Sequence, residues 1–422
     1  MQQLRIPAVY MRGGTSKGVF FLASDLPADP SERDRILLRV IGSPDRYGKH
    51  IDGMGGATSS TSKVVILSKS GRPDCDVDYL FGQVAIDAPV VDWSGNCGNL
   101  TAAVGPFAIS SGLVQAPADG MALVRIWQAN IAKKIMAHVP MAGGEVVELG
   151  SFELDGVAFS AAEVQIEFLD PAADEEGGNS GVSSCVSSGV SSGVSSDSKA
   201  GAMFPTGRKI DMLDVPGLGR IEATLINAGN PTIFVEAASL DLMGTELQGD
   251  VNNRLELLAL VEAVRARGAV AMGLVKTLDE ATATRPHTPK LAFVAMPADY
   301  IASDGKCVAA GSIDLLARIF SMGQLHHAMT GTGAVAIAAA AAIPGTIVHR
   351  LAPLGSDGRV RFGHPSGSLS VGAEAVERAG GLAGGLAGGL AGGLAVDWAV
   401  TKVLMSRSAR RLMEGWVRVP QA

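Results

Sequence analysis

A cysteine set in a glycine turn ahead of an apolar run is the strongest chemical signal in the chain. Ser94-Gly-Asn-Cys-Gly-Asn-Leu-Thr-Ala-Ala-Val-Gly-Pro-Phe-Ala-Ile109 places the polar turn Gly95-Asn96-Cys97-Gly98-Asn99 before small and apolar residues. The pattern predicts a buried helix whose first turn faces a ligand. First-turn N–H groups have no intrahelical acceptor, and the helix dipole adds partial positive charge there. Such an end holds a carboxylate or phosphate, and a cysteine at that point gains thiolate character. The turn therefore offers an anion hole beside an acid/base thiol. A second reading stays open: free cysteine also packs as a small hydrophobe in ordinary buried turns.

The motif has a counterpart. Leu325-His-His-Ala-Met-Thr-Gly-Thr-Gly333 is another polar, glycine-bearing turn, and Ala334 to Ile343 is the apolar helix it opens. Two such helix starts facing each other across a cleft would hold a polyanion, and their recurrence suggests an internal duplication. His326 and His327 are adjacent; on a helix they would point about 100° apart and could not share one ion, so no metal is expected.

The elements that must carry these turns alternate between strand and helix patterns. Ile6 to Met11 and Val19 to Leu22 read as two strands joined by the glycine-rich loop Arg12 to Gly18. Asp29-Pro-Ser-Glu introduces a helix to about Ile41. Polar and small residues fill Asp52 to Lys63 before the buried strand Val64 to Leu67. Tyr79–Val84, Ala122–Trp127, Lys134–Val139, Ile221–Ile226 and Lys290–Ala295 read as further strands. Asn252–Arg267 reads as an amphipathic helix with Leu257, Leu258, Val261 and Val264 on one face.

Composition bounds the class. The chain has 422 residues, 47% of them hydrophobic and 18% charged, which describes a globular protein of two or three domains. Its net charge is −7 and its basic residues are scattered, which speaks against a nucleic-acid footprint. Ala334 to Ile343 is the most apolar run and is too short to cross a bilayer. The N-terminus lacks a signal-peptide pattern, and Cys75, Cys97, Cys185 and Cys307 lie far apart without a CxxC. A reduced, cytoplasmic location without membrane or nucleic-acid partners is expected. Two low-complexity tracts interrupt the pattern: Ser-Ser-Gly-Val units over 179–198 and four Gly-Gly-Leu-Ala units over 380–395. The first reads as an insertion or linker and the second as an expansion within a surface hairpin.

Several motifs in order carry a resemblance. Met11-Arg-Gly-Gly-Thr-Ser-Lys-Gly18, Asp52-Gly-Met-Gly-Gly-Ala57, Thr61-Ser-Lys63, Asn96-Cys-Gly-Asn99, Asn227-Ala-Gly-Asn-Pro231 and Phe362-Gly-His-Pro-Ser-Gly367 together resemble the PrpF family. The resemblance implies 2-methylaconitate isomerisation in the methylcitrate route of propionate breakdown, with a methylcitrate dehydratase as functional partner. It implies an α/β diaminopimelate-epimerase-like fold: two pseudo-symmetric domains, each a curled sheet around a central helix. Residues 1–200 and 201–422 are the expected domains, with the last strand free to return to the first, and a homodimer is compatible with this plan.

Cofactor-free epimerases of that fold use one cysteine at each helix start. Here Cys97 fits the first, whereas Thr330-Gly-Thr-Gly333 lacks the second. A two-thiol mechanism is therefore not expected, and Lys63 becomes the second acid/base candidate. Isomerising an aconitate-like tricarboxylate needs a base for an allylic proton, donors for the delocalised charge, and an acid to return a proton. No cofactor or metal is expected. Thr15, Ser16, Asn96, Gly98, Asn99, Asn230, Gly331 and Thr332 are the expected substrate-binding residues. Tautomerisation of 4-oxalomesaconate on the same fold is the alternative. A small-molecule kinase fits less well, because no GxxxxGK[ST] occurs, and a non-catalytic accessory role to a dehydratase is the remaining reading.

Overall fold

The computed structural model describes residues 3–172, 202–378 and 397–420, and both low-complexity tracts lie outside the described residues. The chain opens on an antiparallel hairpin of β1 (Gln3–Gly13) and β2 (Ser16–Leu22), with Gly13 opposite Ser16. That register leaves Gly14 and Thr15 for the turn, and Gly14 takes a φ of +51°, where a Cβ would be strained. α1 (Pro30–Ile41) begins where Asp29 accepts the Glu32 N–H at 2.8 Å, with Pro30 at the position that needs no donor.

β3 (Lys63–Lys69) then runs parallel to β2, and β4 (Val77–Val84) returns antiparallel. α2 (Gly98–Ser110) follows. β5 (Gly120–Gln128) runs parallel to β4 and is paired antiparallel with β6 (Lys133–Ala142), which in turn meets β7 (Glu163–Leu169).

The second half repeats this order. β8 (Gly219–Ala228) and β9 (Asn230–Glu236) form a hairpin at Gly229. α3 (Leu255–Ala271) leads to β10 (Lys290–Ala295), parallel to β9, and β11 (Leu315–Ser321) returns antiparallel. α4 (Gly331–Ala342) follows, then β12 (Arg359–His364) parallel to β11 and β13 (Gly367–Arg378) antiparallel to β12. The duplication suggested by two glycine turns thus extends to the sense of every strand pair. The long last strand, β14 (Asp397–Pro420), pairs with β13 and β7 and then with β1, ending with Pro420 opposite Gln3.

Period-two patterning decides what each strand face meets. In β3, Val64 and Ile66 pack outward against Ile36, Leu37, Val40 and Ile41 of α1. In β10, Leu291 and Phe293 pack outward with Leu257, Val261 and Val264 of α3. The alternate residues, Val65 and Leu67 in one half and Ala292 and Val294 in the other, face one continuous inner core that includes both α2 and α4. These two helices are apolar nearly all round because they are surrounded by sheet, as fully buried helices must be. The expected helix at Asn252–Arg267 is shifted: a short turn over Gln248–Asn252 precedes α3, which runs on to Ala271. Among the described residues, no helix is long and apolar enough to cross a membrane.

Candidate active site

The two helix starts meet directly. A Cβ on Gly98 would come within 2.8 Å of the Thr332 nitrogen, and one on Gly331 within 2.5 Å of the Asn99 nitrogen. The sequence suggested an open cleft between facing helix ends. The structure instead seats backbone on backbone, so an anion must approach beside the contact. Cys97 is the N-cap of α2, with its Sγ accepting the Leu100 N–H at 3.5 Å; Thr330 is the N-cap of α4, accepting the Gly333 N–H at 3.1 Å. Cys97 and Thr330 are thus equivalent positions in the two halves. The amides of Gly98, Asn99, Gly331 and Thr332 precede the capped ones and lie in the first turns, where no intrahelical acceptor exists.

Lys63 opens β3 on its inner face. It is buried, and its Nζ donates to Gln83 Oε1 at 2.6 Å, with the Phe81 ring centroid at 5.1 Å. Burial pushes its pKa below the ordinary lysine range, and the neighbouring Cys97 sulfur opposes that shift. Cys97 is 7% exposed, and Tyr79 Oη donates to its carbonyl at 3.4 Å. Lys63 and Cys97, assigned separately from the sequence, therefore stand side by side.

The asparagines form a network across the halves. Asn230 Oδ1 accepts the Asn96 N–H at 2.8 Å, while its Nδ2 donates to Asn96 O at 2.9 Å and to Thr332 Oγ1 at 3.2 Å. Asn99 Nδ2 donates to Thr15 Oγ1 at 2.9 Å and to Met329 O at 3.3 Å, and its Oδ1 accepts from buried Arg407 at 3.0 Å. These side chains hold the two helix starts together. Asn96 differs: it is 1% exposed, yet neither Oδ1 nor Nδ2 has a partner among the described residues. A buried unpartnered amide costs about 1–3 kcal/mol, so its free end is fit for a ligand. Asn96→Leu is expected to stabilise the free protein by about 1 kcal/mol while raising KM at least about tenfold. Thermal unfolding and steady-state kinetics on the same preparation check both.

Thr15 and Ser16 line a cavity of about 610 Å³ together with Arg12, Lys17, Ser60, Thr61 and His327. A second cavity of about 770 Å³ is lined by Ser60, Thr61, Ser321, His326 and His327, among others. His327 therefore borders both, and its Nδ1 lies 3.4 Å from Ser60 Oγ. The two histidines follow a short strand, not a helix, and their rings stack at 4.6 Å, which corrects the divergent geometry expected for them. Among the described residues no group of three or more His, Cys, Asp or Glu is placed to hold a metal.

Sequence reasoning missed Lys290. It opens β10 on the inner face and is 2% exposed; its Nζ lies 3.1 Å from His287 Nδ1 and donates to Ser321 Oγ at 2.8 Å. Burial, and then the charge of Lys63, bring its pKa down to about 7. The missed signal was a lysine opening a buried apolar strand in both halves, Lys63-Val-Val-Ile-Leu67 and Lys290-Leu-Ala-Phe-Val-Ala295.

His287 and His326 also lie well below the usual histidine range, burial being the largest cause. The unfolded chain takes up these protons below about pH 6.5 and the folded one does not, so acid favours unfolding. Lys290 acts in the same direction between about pH 7 and the ordinary lysine value. The melting temperature of the ligand-free protein is therefore expected to rise from pH 5.5 towards 8.5, and calorimetry showing a flat or falling trend would contradict this.

A family model described as "PrpF protein" matches residues 3–181 and 180–420. The chain is 59% identical over 425 aligned positions to the 2-methyl-aconitate isomerase of Cupriavidus necator, covering 99% of this chain and 98% of that protein. The crystal structure of a methylitaconate-delta-isomerase superposes with a TM-score of 0.69 at 35% identity, covering 99% of this chain and 96% of that one. A probable proline racemase of Agrobacterium radiobacter K84 shares the fold alone, with a TM-score of 0.51 at 13% identity and 99% and 93% coverage.

Proposed function

The chain belongs to the PrpF family, and from that premise we propose that it is a cofactor-free isomerase of 2-methylaconitate. The observation that carries this reading is full-length similarity at 59% identity to a 2-methyl-aconitate isomerase, joined to a buried lysine–thiol pair at two abutting helix starts. In this reading Lys63, when neutral, removes an allylic proton. Its hydrogen bond to Gln83 aims the amine, and burial favours the uncharged form. The electron pair spreads onto a substrate carboxylate held by the Asn96 side chain and the first-turn amides of Gly98, Asn99, Gly331 and Thr332. Thr15 and Asn230 fix those elements, and Ser16 lines the approach. Cys97 tunes Lys63 and shares in proton transfer.

The same proposal takes residues 1–200 and 201–422 as two domains, and places the protein in the cytoplasm and in propionate breakdown by the methylcitrate route. A methylcitrate dehydratase would supply its substrate. The free thiols Cys75, Cys97 and Cys307 fit a reducing compartment. A homodimer belongs to the reading, and light scattering reads it directly.

The test is incubation with trans-aconitate in D2O, without nucleotide, followed by proton NMR. Deuterium entry at the methylene carbon with isomerisation is expected; neither, in a folded preparation, would sink the reading. Faster turnover of 4-oxalomesaconate than of 2-methylaconitate would move the protein to the sibling tautomerase reaction. A fully active Cys97→Ala would reduce the thiol to a lining group.

A further inference from the structure

The strand register relates Lys63 to Lys290. Each opens the strand that runs parallel to the second strand of its half's hairpin, β3 beside β2 and β10 beside β9. Each faces the inner core, on the same side as Val65 in one half and Ala292 in the other. Each ammonium is received by a side chain from the next, antiparallel strand. For Lys63 that residue is its register partner Gln83; for Lys290 it is Ser321, one position beyond the Leu291–Phe320 pair. The same correspondence sets Cys97 against Thr330 at the helix starts. The second half thus lacks the thiol but has the lysine.

Among the described residues, nothing neutralises Lys290 by direct pairing. Among the described residues its Nζ makes no ion pair with a carboxylate, and its neighbours are an imidazole nitrogen and a hydroxyl. Burial holds His287 well below the usual histidine range, so it carries no opposing or added charge. Asp92 and the Cys97 sulfur act on Lys290 from further off, raising its pKa, while Arg265 and Lys63 oppose them. A buried ammonium without a counter-ion is costly, and a polyanionic substrate would relieve that cost.

We infer that Lys290 is the proton donor of the second half, giving the substrate a proton of its own after Lys63 has taken one and filling the place where Thr330 offers no ionisable group. The inference rests on the isomerase reading above. The neutral Lys63 amine takes a proton from the methylene carbon: a C–H bond breaks, an N–H bond forms, and the pair enters the dienolate. The Lys290 ammonium then protonates the other allylic terminus: an N–H bond breaks and a C–H bond forms. Between turnovers the Lys63 proton returns to Lys290 through exchange with water. No electrons leave the substrate and no co-reactant is consumed. The fold favours this division because groups related by its pseudo-twofold approach a bound molecule from opposite sides.

The test separates removal of the proton from its return. With 2-methylaconitate in D2O, whose methyl group distinguishes the two allylic termini, Lys290→Gln is expected to keep deuterium entry within about threefold of the wild type while movement of the double bond falls about 100-fold, the range for loss of one acid/base group. Parallel loss of both, or isomerisation within about threefold of the wild type, would overturn the inference. A wild type that neither exchanges nor isomerises would instead remove the isomerase reading beneath it. If Lys290→Gln does not unfold cooperatively, Ser321→Ala decides. It removes only the hydroxyl that aims the ammonium, and a fall of about tenfold in isomerisation with unchanged exchange is expected; equal effects on the two would count against Lys290.

Discussion

Lys63→Met is expected to reduce deuterium exchange and isomerisation together by about 10³-fold or more. The variant keeps an unbranched apolar side chain of similar reach and removes the amine that stands beside Cys97. Its stability should not fall with its activity. Lys63 is a buried ionisable group whose close polar partners are Gln83 Oε1 and the Cys97 sulfur. Exchanging a buried charge for an apolar isostere is commonly neutral or stabilising, although Gln83 Oε1 then loses its donor. A melting temperature within a few degrees of the wild type, with both reactions lost, separates a catalytic effect from a folding one. Retained exchange in Lys63→Met would assign the base elsewhere, and Lys290 would be the first group to examine.

The joint loss in Lys63→Met contrasts with the split expected for Lys290→Gln, and the contrast follows from the order of events. Without proton removal nothing downstream can occur, so both readouts vanish. Without proton return the dienolate is still formed and is requenched by solvent-derived deuterium on Lys63. Measured on one substrate in one solvent, the pair of variants resolves which lysine acts first. It also explains why a helix start carrying Thr330 where its mate carries Cys97 is compatible with proton chemistry on both sides.

Much of the fold was legible because period and punctuation agree in this chain. The α1 start was readable from Asp29 and Pro30, and β3 from four apolar residues after a polar stretch. The duplication was readable from two glycine turns ahead of apolar helices. The shift of α3 was not, since Arg254 provides no side-chain cap to mark where it starts. Of the candidate site, Cys97 and Asn96 stood out by local pattern, while Lys63 was reached through the family resemblance once the second helix start showed no cysteine. What stayed hidden was tertiary. Lys290 gains its character from burial and from its distance to Lys63, neither of which is written in its own segment. Asn99 and Asn230 drew attention as ligand donors, and their side chains also reach across the halves, Asn99 to Met329 O and Asn230 to Asn96 O. Sequence spacing cannot tell a donor aimed at substrate from one aimed at a neighbouring loop, whereas the unpartnered amide of Asn96 can be recognised only after every neighbour is placed.

Gly331→Ala is expected to be the most damaging single methyl group that can be added to the site. The new Cβ would stand 2.5 Å from the Asn99 nitrogen and closer still to the Gly98 carbonyl carbon, both backbone atoms that no rotamer change can move. Relief requires the two helices to part. α2 and α4 are both buried in the shared inner core, so parting them strains it. Overpacking of this kind costs about 1–3 kcal/mol when side chains can adjust, and a backbone-to-backbone wedge belongs at or above the upper end. Activity should fall further than stability, by about 100-fold or more, because a shift of about 1 Å at the first-turn amides misplaces the donors that receive the substrate charge. Gly98→Ala tests the same contact from the other side and should behave alike, since its Cβ meets the Gly331 carbonyl carbon at 2.7 Å. Gly249→Ala, where a Cβ meets nothing within 4 Å, is the matched control and should leave both melting temperature and turnover near wild type. If Gly331→Ala melts and turns over like that control, the helix starts are not in contact in solution, and the anion site would have to be sought between them.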